Sequence, residues 1–310
     1  MNETITDIQS HIRNLVVSMF AISFILPLAG IVSFAQASDL PPGIVSKDEP
    51  RTFLERVGKI NATPAFFENL AAQPDHGPTI NLNFLRFRPR GDSSTYDKYG
   101  AAAGAGIIGV GGDIVYHGEG ITDMNKAFEL SDEWDSVAYA MYPRRASYLQ
   151  LQRDVDYQMA IADRVAGTYE RFLYVISDGE AIYDASSSIT NFHENCTRAD
   201  VTEEEVVISE FLRFKDQDGR NSYEKFAAEF QPMLESAGGE VVLSVRAEIP
   251  IVSEEYWDHF VSFKFPSVEA LELLYQSGEF AEINADRIAA LDGTLAVLSE
   301  TQILPAKPCH

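Results

Sequence analysis

From Thr79 the chain alternates. Ile80, Leu82 and Phe84 are apolar and Asn81 and Asn83 between them are polar, the period of a strand with one buried face. At Leu85 and Phe87 the second parity also turns apolar, so this strand is expected to be covered on both faces. A turn over Pro89 to Ser94 leads into a helix, with Ser93 or Ser94 as N-cap, that reaches about Ile108 and is closed by Gly109, Gly111 and Gly112. The small residues from Ala101 to Gly106 place it close to a neighbour. The pattern continues with a strand at Asp113–Gly120, a looser segment to Glu133 and a strand at Trp134–Tyr142. A helix then covers about Ala146–Ala166, broken near Asp154-Val155-Asp156, and a strand runs over Tyr169–Ile176. The order is β-α-β-β-α-β, the ferredoxin-like split unit.

The same order occurs twice. Phe84-Leu85-Arg86-Phe87 returns as Phe211-Leu212-Arg213-Phe214, and Tyr96 and Gly111-Gly112 return as Tyr223 and Gly238-Gly239, each 127 positions on. From Trp134-Asp135 and Trp257-Asp258 the spacing is 123, and it holds through Ala162-Asp163-Arg164 and Ala285-Asp286-Arg287. A fixed offset broken once in a connecting segment is the mark of an internal repeat. The second copy predicts strands from Val206, at Glu240–Glu248, Tyr256–Phe265 and Thr294–Ile303, with helices at Ser222–Ser236 and Val268–Ala290. The expected fold is α+β: repeat one over 79–177, a linker rich in Ser, Asn and acid over 178–204, repeat two over 205–304 and a tail at 305–310. Residues 38–78 form a leader and a helical segment, since Phe53, Leu54, Val57 and then Phe66, Phe67 and Leu70 recur at helical spacing.

Before these lies Arg13 and an apolar run from Leu15 to Phe34 that ends in Ala35-Gln36-Ala37. That small-x-small ending predicts a signal peptide over residues 1–37 and export to a periplasmic or secreted location. The alternative is an uncleaved N-terminal membrane anchor. Export makes a disulfide between Cys196 and Cys309 plausible chemistry. A metal site from His193, Cys196, Cys309 and His310 lacks the spacing of structural zinc, and none is expected. Composition adds an exclusion. With 45% hydrophobic and 23% charged residues the chain is globular, and its net charge of −23 repels phosphate backbones and anionic headgroups. Neither nucleic acid nor, after cleavage, a membrane is an expected partner.

The glycines from Gly104 to Gly112 do not form a dinucleotide fingerprint, because they close a helix and open a strand instead of the reverse. No Ser-His-Asp elbow, H-E-x-x-H, P-loop or EF-hand pattern is present, and no cofactor is expected.

At Phe265-Pro266-Ser267-Val268-Glu269-Ala270, then Tyr275-x-Ser277-x-Glu279-Phe280 and Arg287, the chain resembles the domain-of-unknown-function 1330 family, within the dimeric α/β-barrel superfamily. Repeat one matches more loosely at Tyr142-Pro143, Asp156-Tyr157-Gln158 and Arg164, with Arg144 in place of the Ser after Pro. The resemblance implies that two ferredoxin-like units pair sheet against sheet around a barrel, here within one chain, so that a monomer is its own pseudo-dimer. The superfamily includes haem-dependent enzymes, cofactor-free monooxygenases and isomerases, and proteins with stress-responsive or regulatory roles.

Residues shared by both copies read as structural first: Arg86 and Arg213 as partners of Asp135 and Asp258, and Trp134 and Trp257 as caps of the barrel end. As a group these four Arg and Trp side chains are also ligand-binding candidates. Chemistry is expected where the copies differ. His117 stands against Ser244, Tyr116 against Leu243, Tyr139 against Ser262 and Met141 against Lys264. With Val115 beside His117 and Val137 beside Tyr139 on lumen-facing sides, His117 and Tyr139 form a candidate catalytic proton-handling pair. Tyr116 and His259 join the candidate ligand set. The expected function is binding of a small apolar or aromatic molecule in the lumen, with cofactor-free oxidation or isomerisation as the class of activity. The alternative is a non-catalytic binding or structural module whose lumen is filled by side chains.

Overall fold

The computed structural model describes residues 61–304 apart from 63, 73, 74, 76, 254 and 303. The signal peptide expected over residues 1–37, the leader up to residue 60 and Cys309 lie outside the described residues. Helix α1 (Pro64–Ala72) precedes the first unit, which comprises β1 (Thr79–Phe87), α2 (Tyr96–Gly109), β2 (Asp113–Gly120), α3 (Thr122–Ala127), β3 (Ser136–Tyr142), α4 (Arg145–Leu151), α5 (Val155–Gly167) and β4 (Thr168–Ser177). Helix α6 (Ile189–Glu194) lies between the units. The second unit is β5 (Val206–Phe214), α7 (Gln217–Ser236), β6 (Glu240–Val252), β7 (His259–Phe265), α8 (Val268–Tyr275), α9 (Gly278–Ala290) and β8 (Leu291–Thr301).

The eight strands close into one antiparallel barrel in the order β1-β3-β2-β8-β5-β7-β6-β4. Each unit contributes a four-stranded sheet, and the edges join: β4 pairs with β6, and β2 with β8. No sheet edge is left open among these strands, which removes the template that an unpaired edge presents. The β2–β8 seam is short, with Gly118 to Gly120 opposite Thr301 to Ser299. The inter-unit segment supports it there, Ala199 N–H donating to Val115 O (3.0 Å) and Arg198 pairing with Asp113 (2.8 Å).

Several expected elements are revised by local chemistry. The helix expected from Ser222 begins at Gln217, because Asp216 caps it by accepting from Gly219 N–H at 2.8 Å. The helix expected over Val268–Ala290 is two, since Ser277 accepts from Phe280 N–H and starts α9 afresh. The segment up to Glu133 contains α3, whose buried Asn125 pairs with both backbone groups of Leu298 at 2.8 and 2.7 Å. The third and seventh strands start at Ser136 and His259, two and three residues later than the pattern implies.

The repeated Trp-Asp phrase also has another role than expected. Asp135 accepts from Phe87 N–H at 2.7 Å and Asp258 from Phe214 N–H at 2.8 Å, so each carboxylate satisfies the backbone where the first strand of its unit shifts register. Arg86 turns instead to Glu170 and the Tyr169 ring, and Arg213 to Glu255, Asp292 and the face of Trp257. Three clusters hold the molecule: one inside the barrel, and one between sheet and helices in each unit.

Candidate functional site

The lumen is packed with side chains. Ile80, Leu82 and Phe84 enter it from β1, Val137, Tyr139 and Met141 from β3, and Phe172, Tyr174 and Ile176 from β4. Phe211 sits among them with ring centroids 5.0 Å from Phe172, 5.0 Å from Phe260, 5.3 Å from Tyr174 and 6.0 Å from Phe84. Trp134 and Trp257 flank Phe84 and Phe211, and both indole N–H groups are buried without a hydrogen-bond partner. Tyr139 OH meets Ser209 Oγ at 2.6 Å and Tyr116 OH meets Ser299 Oγ at 2.8 Å. Burial raises both phenols, Tyr116 to about 12 and Tyr139 higher still, so they stay protonated at neutral pH.

His117 is not in the lumen. A β-bulge between Ile114 and Tyr116 sets Ile114 opposite Ala140 and Tyr116 opposite Tyr139, so Val115 and Tyr116 both point inward. His117 thereby turns to the helix side of the sheet, and the expected His117–Tyr139 pair is separated by the sheet itself. The second unit has the same bulge between Val241 and Leu243, with Val242 and Leu243 both inward. His259 too faces the helix side. His117 Nε2 bonds Ser136 Oγ at 3.1 Å, and His259 Nε2 bonds Ser244 Oγ at 2.9 Å. Since 117 corresponds to 244 and 136 to 259, the two units hold one His–Ser pair each with the strands exchanged.

Ser244 Oγ also accepts the N–H groups of Ile182 and Tyr183, at 3.0 and 3.1 Å. Both of its lone pairs are then used, and its own O–H donates to His259 Nε2, which must be unprotonated. Burial, with a smaller contribution from Arg220, pushes His259 down to about 3. An unfolded histidine titrates near 6.5, so the unfolded chain binds more protons between these values and stability falls as pH drops below about 6.5. Between pH 7.5 and 5 this group is expected to remove about 2 kcal/mol. Urea unfolding of the wild type and His259→Gln at both pH values checks it: equal pH losses in the two proteins would contradict the assignment.

A cavity of about 460 Å3 lies between the sheet of the first unit and helices α2, α4 and α5, within the range of roughly 300–1,000 Å3 usual for small-molecule sites. Its walls include Asn81, Asn83, His117, Ser136, Ala138, Ala140, Ala103, Arg171 and the tyrosines 96, 99, 142, 148 and 157. Asn83 Oδ1 accepts from Arg171 at 3.0 and 2.6 Å, while Asn81 Nδ2 is buried with no partner. Tyr99 OH and Tyr157 OH lie 3.0 Å apart and share the guanidinium of Arg164, at 2.9 and 3.2 Å. Burial would raise the Tyr157 phenol, but Arg164 and Arg171 outweigh it and hold it below its ordinary value. Burial also lowers His117, against a smaller opposite effect of Glu119 and Asp97, leaving a neutral base on the cavity wall.

In the second unit larger side chains occupy the corresponding positions between sheet and helices. Phe230 stands at the position of Ala103, Phe263 at that of Ala140, Val261 at that of Ala138 and Ile208 at that of Asn81, all buried in one cluster. Glu210 replaces Asn83 and bonds Arg287 and Thr294 Oγ1. Residues 207–301 match the model of the Domain of unknown function (DUF1330) family. The cavity therefore lies in the first unit, outside the matched DUF1330 residues.

No curated protein sequence matches the chain. Among solved structures, a protein of unknown function from Rhodopseudomonas palustris is 26% identical, with a TM-score of 0.34, over 40% of this chain and 98% of its own. An anthrone oxidase-like protein aligns at 8% identity and TM-score 0.46 over 74% of this chain and 95% of its own. Chlorite dismutase from Candidatus Nitrospira defluvii aligns at 10% and 0.39 over 76% and 94%. In this chain two βαββαβ units supply the eight strands of one closed barrel.

Among the described residues no group of three or more His, Cys, Asp or Glu is placed to hold a metal ion, and no helix is long and apolar enough to cross a membrane. Cys196, just after α6, is disulfide-bonded. Sequence reasoning missed the cavity because it compared strands and passed over the helix. The trade of Phe230 for Ala103 on α2 was a readable signal.

Proposed function

We propose that the protein binds a small aromatic molecule in the first unit, between sheet and helices, with His117 as the proton acceptor on the cavity wall. The observation that carries this is the buried, unpartnered Asn81 amide in a cavity whose counterpart is filled. A buried donor without a partner costs about 1–3 kcal/mol, which a bound acceptor recovers. Tyrosine rings supply a wall suited to an aromatic ligand. The lumen reads differently: its aromatic packing favours a structural role for that space, the reading in which the barrel interior holds the two units together.

The double variant Ala103→Phe, Ala140→Phe copies the second unit and is expected to fill the cavity. In a thermal-shift screen of one- and two-ring aromatic compounds, a ligand at a hundred times its Kd stabilises the wild type by about 2.7 kcal/mol, or about 5–10 °C. The double variant is expected to show no shift. His117→Gln is expected to keep the shift and lose any turnover of the same compound. A screen that moves neither protein, or both equally, would remove the proposal.

A further inference from the structure

We infer that the ligand of this cavity is a phenol, because the second unit carries its own occupant in the equivalent place and that occupant is Tyr183. This rests on the cavity reading above and deepens it. Tyr183 comes from the segment joining the units, outside either repeated pattern. Its N–H is anchored on Ser244 Oγ, and Ser186 and Ser187 N–H donate to Val241 O and Val242 O at the bulge, at 2.8 and 3.2 Å. The ring lies edge-on to Phe263 (5.2 Å between centroids) and Phe230 (6.5 Å), and its hydroxyl donates to Tyr223 OH at 3.0 Å.

Each of these neighbours has a counterpart in the first unit. Ser244 corresponds to His117, Phe263 to Ala140, Phe230 to Ala103 and Tyr223 to Tyr96, and all four counterparts line the cavity. The first unit thus reproduces the seat of a phenol, widened where two Phe have become Ala, and keeps the tyrosine hydroxyl that accepts the phenol's hydrogen bond. It also changes the polar end. Glu210 and Thr294 of the second unit become Asn83 and Arg171, and Asn81 adds a donor with no partner. An oxygen on the ligand satisfies such donors, and a bare ring does not.

Calorimetric titration of the full chain with 4-nitrophenol and with nitrobenzene tests this. The wild type is expected to bind one equivalent of 4-nitrophenol about tenfold more tightly than nitrobenzene, the value of one hydrogen bond otherwise unmade. Tyr96→Phe is expected to close that gap to about twofold without weakening nitrobenzene. Tyr183→Ala empties the second seat and is expected to raise the stoichiometry from one equivalent to two. Equal affinity of the two compounds for the wild type would overturn the phenol assignment while leaving the cavity reading intact. Binding of neither would overturn the cavity reading itself. One equivalent in folded Tyr183→Ala would remove the template argument, and if that variant does not fold, the comparison of wild type with Tyr96→Phe still decides.

Discussion

Phe211→Ala is expected to destabilise the barrel by about 3–5 kcal/mol, the cost of deleting a fully buried aromatic ring from a core that cannot collapse around the gap. Phe211 is fully buried, and Phe84, Phe172, Tyr174, Trp257 and Phe260 surround its ring. Those partners come from both units, so the loss falls on the contact that joins them. The backbone around the gap is hydrogen-bonded on both sides, with Phe211 paired to Phe260 and Leu295, which resists relaxation. Denaturant unfolding gives the number. A loss under about 1 kcal/mol would mean that the lumen is loosely packed and available to ligands after all.

One residue earlier on the same strand, Glu210→Ala is expected to cost a similar amount, about 3–5 kcal/mol, for an opposite reason. Glu210 points to the helix side, where it accepts from Arg287 and, at 2.6 Å, from Thr294 Oγ1. Its side chain is 4% exposed, so the carboxylate has given up water for these partners. Removing it leaves the Arg287 guanidinium facing Tyr223 and Tyr275 with no counter-charge, and that uncompensated cation carries the cost. Replacing both partners with methionine avoids the unpaired charge and is expected to recover most of the loss. If the single and double replacements lose equal stability, side-chain volume rather than charge sets the cost.

Much of the architecture was legible in the chain. Apolar alternation at Ile80, Leu82 and Phe84 marks the inward face of β1, and the fixed spacing of Phe84-Leu85-Arg86-Phe87 and its copy marks two units of one design. The candidate site was legible only in part. His117 was singled out because it differs from Ser244, and it does line the cavity. A strict period of two puts Tyr139 and His117 on one face, and one extra residue at Val115 reverses that alternation. A bulge of this kind leaves no clear mark in a run such as Ile114-Val115-Tyr116, where every residue is apolar or aromatic and fits either face. Arg86 and Asp135 were paired by proximity in the pattern, whereas the strand's own unpaired N–H at Phe87 was the stronger claim on the carboxylate.

The sequence by itself determined that there are two βαββαβ units and that their helices cover one face of each sheet. Those conclusions depend on period and repetition, which are properties of order along a chain. Only the tertiary structure decided that the lumen is packed with side chains and that a cavity lies behind the first sheet. Emptiness is a difference between the volume that backbones enclose and the volume that side chains occupy. Ala103 and Ala140 leave a cavity because they face each other across α2 and β3, while Tyr183, which belongs to neither repeat, fills the matching space in the second unit.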